Sequence, residues 1–461
     1  MATVSTFVML MASFSPVLTA RTAANLAVLG RGALLATGPR TVTGCLRAAW
    51  PWVEKHWSVY HNVLRRARFS GPALARILFG LALRLIPRGA AIELALDDTL
   101  VRRYGPRVMG VAMHHDAVRS SHGHHAVTAG HKWVILSLAL RLPFSQHAVA
   151  LPLLSALYST QKHARRNRQK RPYRRHRTLQ ELALLLVRTL VRWAPGRRFR
   201  VLADGAYATH ELAAAFSAAS PYKALRGVRL VSRFRLDAAT WGEPPPYSGR
   251  GRPRVRGDRL PTPQQVAACS GAVWQSARLC WYGGLRKRVS ICSGEGLWYK
   301  SGTGGKHVRW VLVRDPKGSR RDEVFFTTDV ALSPRHIVES YVRRWCLETA
   351  FQEARAHLGL ETLRNWSGQA VLRSAPMLLG LYSLVAVWFA LHVPGPRQHP
   401  QLSPWYQKRW ITFSDMLAAV REDILVEAIS QGSAPQTREH LLCASCGSRI
   451  VRLPEAKRAA A

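Results

Sequence analysis

The stretch Ala91-Ile-Glu-Leu-Ala-Leu-Asp-Asp-Thr99 decides the fold. Before it, residues 1–90 read as helices. Apolar side chains recur at helical spacing through 26–35 and 73–85, punctuated by Gly and Pro. Trp50, Trp52, Trp57 and Tyr60 are expected to pack this region. At Ala91 the pattern switches to a short, mostly apolar run with partial alternation. Such a run predicts a buried strand over 91–96 that delivers Asp97 and Asp98 at its C-terminal end.

A second run, Arg198-Phe-Arg-Val-Leu-Ala203, repeats the arrangement. It ends in Asp204-Gly205-Ala206-Tyr207, and a helix is predicted over 210–219. Further strands are expected at 108–113, 133–140 and 228–235, with a strongly apolar helix at 179–191. This alternation is that of an α/β protein with acids at strand ends, where loops converge. Between 236 and 330 Pro, Gly and Trp punctuate short β-rich runs, so a β-rich insertion is expected there. A long helix is predicted over 334–358, followed by helices at 375–392 and 413–429. The expected organisation is a helical region at 1–90, a core at 91–235, the insertion at 236–330, completion of the core at 331–393, and a helical region and tail at 394–461.

Within the predicted long helix stands Tyr341-Val-Arg-Arg-Trp-Cys-Leu-Glu-Thr-Ala-Phe-Gln-Glu-Ala-Arg355. Steps of three, four and seven put Tyr341, Arg344, Glu348 and Arg355 along one face, with Trp345 packing beneath it. A carboxylate suits a hard divalent cation, and guanidiniums suit phosphate oxygens. Asp98, Asp204 and Glu348 are remote in sequence. If they converge, they form a carboxylate triad able to hold two divalent ions roughly 3.5–4 Å apart, Mg²⁺ or Mn²⁺ by ligand type. Asp97 competes with Asp98 for the first position. Glu353 faces elsewhere on the helix, and Glu339 and Asp237 are weaker stand-ins. No Ser/His/Asp set stands out, and no GxxxxGK[ST] loop is present, which argues against ATP use.

Composition points to the partner. Sixty-seven Lys and Arg stand against 26 Asp and Glu, a formal net charge of +41. So large an excess makes sense beside a polyanion, whose counterions it displaces. Residues 162–177 hold nine Lys and Arg and no acid. There Arg165, Arg166, Arg168, Lys170 and Arg171 are expected to touch the DNA backbone. His114, His115, His122, His124, His125 and His131 suit phosphate contact or packing better than zinc. The seven cysteines are scattered, which argues for a reducing compartment, and Cys443 and Cys446 with His440 make only half a zinc site. The apolar segment 375–393 is long enough to span a bilayer, but a buried core helix is expected. Residues 1–20 lack the charged start of a signal peptide.

Taken together, these residues resemble the DDE transposases of the bacterial insertion-sequence superfamily marked by Tyr-x2-Arg-x3-Glu-x6-Lys, the insertion-sequence type four group. Tyr341, Arg344 and Glu348 fill the motif, and Arg355 replaces the lysine. Asp98-Thr99 matches the first acid and Asp204-Gly-Ala-Tyr207 the second. The resemblance spans about residues 91–390. It implies an RNase H-like core with a mixed sheet, a β-rich insertion before the last catalytic helix, and a helical N-terminal region that binds terminal inverted repeats. It also implies a Mg²⁺-dependent enzyme that nicks double-stranded DNA at element ends and transfers the freed 3′-hydroxyl to target DNA. Tyr341, Arg344 and Arg355 would then bind DNA phosphate. Relatives pass through a hairpin and flip a base onto an insertion tryptophan, for which Trp281, Trp298 and Trp310 are candidates. By the same analogy the enzyme acts as a homodimer on DNA in the bacterial cytoplasm, at the nucleoid, with no membrane association. The rival readings are an RNase H-fold DNA endonuclease without strand transfer and a non-catalytic DNA-binding relative.

Overall fold

A computed structural model describes residues 5–166, 176–247, 249, 251–318, 320–395, 398–401 and 404–430. Arg168, Lys170 and Arg171 lie outside the described residues, as do His440, Cys443 and Cys446. The chain divides into two compact units.

The larger unit, Leu78–Glu353 with Gln398–Ile411, contains one ten-stranded sheet. Its strands are β1 (Ile92–Arg102), β2 (Ala112–His115), β3 (Val127–Arg141), β4 (Ala148–Tyr158), β5 (Phe199–Ala203), β6 (Val228–Phe234), β7 (Gln275–Cys280), β8 (Arg286–Lys300), β9 (Gly304–Arg314) and β10 (Glu323–Thr327). The sheet runs β2-β3-β1-β5-β6-β10-β9-β8-β7, and β4 also pairs with β3. Strands β1, β3 and β4 form an antiparallel set, and β5 and β6 lie parallel to β1. This mixed α/β arrangement fits an RNase H-like nuclease core.

The central strands are apolar because both their faces are covered. Leu94, Ala95, Leu96, Val134, Leu136, Val201, Leu202, Val228 and Leu230 are fully buried. The helix Leu179–Val191 packs on β3 and β4. A capping box starts it: Thr178 accepts from the Glu181 amide, and Glu181 accepts from the Thr178 amide.

Strands β1 and β4 depart from the expected pattern. β1 does not stop at Leu96 but continues through both aspartates, because β3 supplies hydrogen-bond partners as far as Arg102↔Gly130. β4 was not foreseen. Pro152 breaks its sequence pattern, and the strand accommodates it at a register shift opposite Leu136 and Ser137, with no strand on its outer side. The insertion's strands do not make a sheet of their own. β10 pairs with β6, so β10, β9, β8 and β7 extend the core sheet and cover an edge that would otherwise be open.

The predicted helix over 334–358 is broken. Pro334–Arg343 and Cys346–Leu358 are separate helices joined by a tightened turn at Arg344 and Trp345. Across the break the amides bond three residues back rather than four, as in Arg344 N–H to Tyr341 O and Glu348 N–H to Trp345 O. The turn leaves Trp345 half exposed, edge-on to Tyr282 rather than packed beneath a helix face.

The smaller unit, Met1–Ile77 with Ala354–Arg397 and Thr412–Ala461, is helical in its described part. Ala20–Leu35 and Val42–Ala48 approach so closely that a Cβ on Gly32 would lie 2.1 Å from Cys45 O. Val28, Val42, Leu46, Tyr60 and Ala370 form the core there, with Trp52 packed against it. Trp50 and Trp57, expected inside, are instead exposed. Gly368–His392 is the one helix among the described residues long and apolar enough to cross a bilayer. Most of it is buried within the protein, including the whole run from Leu384 to Phe389.

Candidate active site

Strand register places the first two acids. The parallel ladder between β1 and β5 ends at Leu96↔Ala203. The next residues are Asp97 on β1 and Asp204 beyond β5, so the aspartates lie side by side where one neighbour strand stops. Asp97 and Asp98 point to opposite faces of β1, because successive side chains alternate along a strand.

On one face Asp97 meets the break between the two helices. Arg344 Nη1 lies 2.5 Å from Asp97 Oδ2, and Arg344 Nη2 lies 2.9 Å from Glu348 Oε1. The same Nη2 stands 3.9 Å from Asp204 Oδ1. One buried guanidinium thus gathers three carboxylates from three distant segments. Burial alone would lower the Arg344 pKa, but Asp97, Tyr341, Asp204 and Glu348 more than reverse it and hold the group charged. Burial pushes the Asp97 carboxyl up to about 7, against the pull of Arg344 and with further upward pressure from Asp98 and Asp204. Tyr341 packs its ring on Phe325, with centroids 4.4 Å apart, and donates its hydroxyl to Asp204 Oδ1 at 3.1 Å. Burial, then Asp204, raises the Tyr341 pKa, which keeps the phenol a donor. Asp204 and Glu348 are partly exposed at 43% and 37%, whereas Arg344 is 6% exposed.

Asp98 has different neighbours. The buried Tyr207 donates to Asp98 Oδ1 at 3.1 Å, and Lys132 Nζ lies 2.9 Å from Asp98 Oδ2. The Asp98 amide donates to Asp97 Oδ1 at 2.8 Å, so the two acids share one short backbone segment.

Behind this cluster lies a group of charges that the sequence reading did not single out. Glu93, four residues before Asp97 on the same face of β1, accepts from Arg343, from Arg200 at 3.0 Å and from Ser340 at 3.4 Å. It ties the helix Pro334–Arg343 to β1 and β5. The signal was available: an acid inside an apolar strand demands a buried cationic partner.

The remaining candidates have other surroundings. Arg355 belongs to the smaller unit, where it pairs with Glu361 at 3.4 Å. Arg165 is exposed on the short helix Gln161–Arg166. Glu339 accepts from the Cys280 amide and from Arg335, and Asp237 pairs with Arg235 at the surface. His114 and His131 are buried, and burial lowers both to about 4, so they are neutral packing groups at neutral pH. Trp281 and Trp310 are buried. Trp298 lines a cavity of about 480 Å³ together with Gly205, Arg233, Phe234, Arg235 and Asp237. Its ring is braced by His210, with centroids 3.8 Å apart, and by Phe234 edge-on.

Among the described residues no three His, Cys, Asp or Glu side chains already stand as a metal-binding group. The donors nevertheless suit one. Asp97, Asp204 and Glu348, which Arg344 gathers on one face, offer only carboxylate oxygen, the ligand that hard divalent cations take, and Asp204 and Glu348 are open to solvent. Arg344 supplies the positive charge that keeps such a cluster together.

No curated protein matches the chain. The family described as DDE superfamily endonuclease matches residues 13–288, more than half of the sequence. The matched span carries the whole antiparallel and parallel core with Asp97, Asp98 and Asp204, and it ends before Glu348. Enzymes of that family act on DNA and generally use divalent metals, in keeping with an all-carboxylate site in a chain of charge +41. On that match, and with this sheet order, the chain belongs to the DDE superfamily of endonucleases.

Proposed function

We propose that the chain is the transposase of a bacterial insertion sequence, cleaving DNA at the element's ends and joining the freed 3′-hydroxyl to a target. The observation that carries this reading is the sharing of Arg344 by Asp97, Asp204 and Glu348. Divalent ions, Mg²⁺ or Mn²⁺, would supply activation of the attacking oxygen and stabilisation of the leaving oxygen. Asp204 and Glu348 are the proposed ligands, with a third from the Asp97–Asp98 pair. Asp97 is favoured because it faces the other two, while Asp98, the position expected from the Asp-Thr match, is engaged by Tyr207 and Lys132.

The chain's own groups do the positioning. Tyr341 orients the Asp204 carboxylate through its hydroxyl. Arg344 balances the acids before ions arrive, and ions that take over the carboxylates would free its fork for a phosphate oxygen. Trp298, beside the residue that follows Asp204, offers an aromatic wall for a base drawn out of the helix. Action as a dimer on two element ends is part of the proposal by analogy with relatives.

The test is cleavage of DNA in Mg²⁺ by Glu348→Gln and Asp204→Asn variants. Both should lose strand cleavage while retaining DNA binding, and wild-type cleavage by either would overturn the assignment. Joining of labelled element ends to target DNA separates a transposase from a nuclease that only cuts. Asp97→Asn and Asp98→Asn, compared in the same assay, identify the first acid. Loss in Asp97→Asn with residual cleavage in Asp98→Asn is the expected pattern.

A further inference from the structure

The loop between β6 and β7 contains Ser248-Gly-Arg-Gly-Arg-Pro-Arg-Val-Arg-Gly257. From Pro244 to Gly257 there are four arginines, at every second position from 250 to 256, and no acid. The described residues of this segment divide into an anchor and a projecting part. Arg256 is the anchor. Its guanidinium lies 4.6 Å from the ring of Trp241 and 4.6 Å from that of Tyr299 on β8. Trp241 is itself bonded to the sheet, since its amide donates to Leu297 O and its carbonyl accepts from the Leu297 amide. Gly242 donates to Asp258 O and Gly257 to Gly242 O, which closes the base of the loop. Tyr247 donates to Gly251 O at 2.9 Å, and Gly251 has φ +74, a conformation that a side chain would strain.

Beyond this base, Arg252, Pro253, Arg254 and Val255 are exposed. Among the described residues neither Arg252 nor Arg254 has a hydrogen bond or an ion pair. Two exposed guanidiniums without an intramolecular partner among the described residues, on a narrow segment of Gly and Pro held at its root by an aromatic clamp, are free to take an anionic partner. The segment is too slight to fill a major groove, which takes a helix or a two-stranded ribbon, but slim enough for a minor groove about 6 Å wide. A·T-rich tracts narrow that groove further and deepen its negative potential, and arginine, being weakly hydrated, enters it at lower desolvation cost than lysine.

We infer that residues 251–255 form an arm whose Arg252 and Arg254 enter the minor groove of A·T-rich duplex DNA. The inference rests on the family's DNA substrate and adds a sequence preference to it. Tyr299 of the clamp and Trp298 of the cavity are neighbours on β8 and face opposite sides of the sheet, so the arm's root and the cavity share that strand but not a face. The arm would bias which duplex the protein binds.

The test uses the full chain without divalent metal, on two duplexes of equal length, one holding an A-tract and one wholly G·C. The wild type should bind the A-tract duplex at least about fivefold more tightly, and netropsin, a minor-groove ligand, should remove that advantage. The Arg252→Ala/Arg254→Ala pair should lose the preference while its G·C affinity falls only a few-fold. The Arg252→Lys/Arg254→Lys pair keeps the charge, so it should keep G·C affinity and lose most of the preference. Wild-type behaviour in the alanine pair, or in the lysine pair, would overturn the arm, as would a wild type with no A·T preference. Mg²⁺ cleavage sensitive to Glu348→Gln in a chain lacking the preference would sink the arm and leave the transposase reading standing. The preference without any cleavage would do the reverse.

Discussion

Arg344 donates to Asp97 across the gap between a broken helix and the central strand, and the contact joins two parts of the chain 247 residues apart. The same side chain reaches Glu348 one turn further on. The break at Arg344 and Trp345 sets the direction of this fork.

Removing that fork should be costly. In Arg344→Ala, above the Asp97 pKa of about 7, the buried carboxylate loses its cation, and breaking a buried pair by deleting one partner costs about 3–5 kcal/mol; at lower pH a proton on Asp97 limits the loss. Urea unfolding in metal-free buffer measures it. Arg344→Lys should fall between the two, since a point charge serves one carboxylate well and the others poorly. An alanine variant as stable as wild type would show that the acids do not depend on Arg344.

Asp97 predicts a pH dependence. Its carboxyl is raised to about 7, chiefly by burial. An unfolded aspartate titrates near ~3.9. Between these values the folded chain holds a proton that the unfolded chain releases. The group's contribution to stability is therefore fully present below about 4 and is lost as pH rises through about 7. The stability difference between wild type and Asp97→Asn should fall across that window, with a slope of at most about 1.4 kcal/mol per pH unit. Denaturation at several pH values without divalent ions would measure the difference, and a flat result contradicts the assigned burial.

Glu93 should act on the site without touching DNA. Glu93→Gln removes the charge that Arg343 and Arg200 share. A destabilisation of about 3 kcal/mol is expected, as for one member of a buried pair. At temperatures where the variant is folded, cleavage rate should drop while DNA affinity stays near wild type, because the loss is in the placement of Tyr341 and Arg344. Equal losses in both would mean a general structural role.

Trp298 should matter for DNA with an extruded base. Trp298→Ala should weaken binding to a duplex carrying an unpaired base by about 1–3 kcal/mol, with little change for a fully paired one. Trp298→Phe keeps an aromatic face and should recover most of the loss. Equal effects on both duplexes would assign the ring to packing with His210 and Phe234 alone.

Much of the architecture was legible from local pattern. The apolar runs at β1 and β5, the acids following them and the helix Leu179–Val191 all come from periodicity that neighbouring residues set among themselves. Other features were not legible for the same reason. Pro152 reads as a strand breaker until β3 is known to pair with β4 around it. The spacing of Tyr341, Arg344 and Glu348 is compatible with one continuous helix and equally with two.

By itself, the order of residues determined a strongly cationic α/β protein with separated acids, since charge and short-range periodicity need no knowledge of the fold. Tertiary structure alone decided that Asp97 rather than Asp98 faces Arg344, that Glu93 fastens the helix leading into Arg344, and that the insertion extends the core sheet. Those outcomes depend on hydrogen-bond register between strands about a hundred residues apart. A shift of one residue there exchanges the two faces of the strand, and nothing in the local pattern of Asp97-Asp98 distinguishes one face from the other.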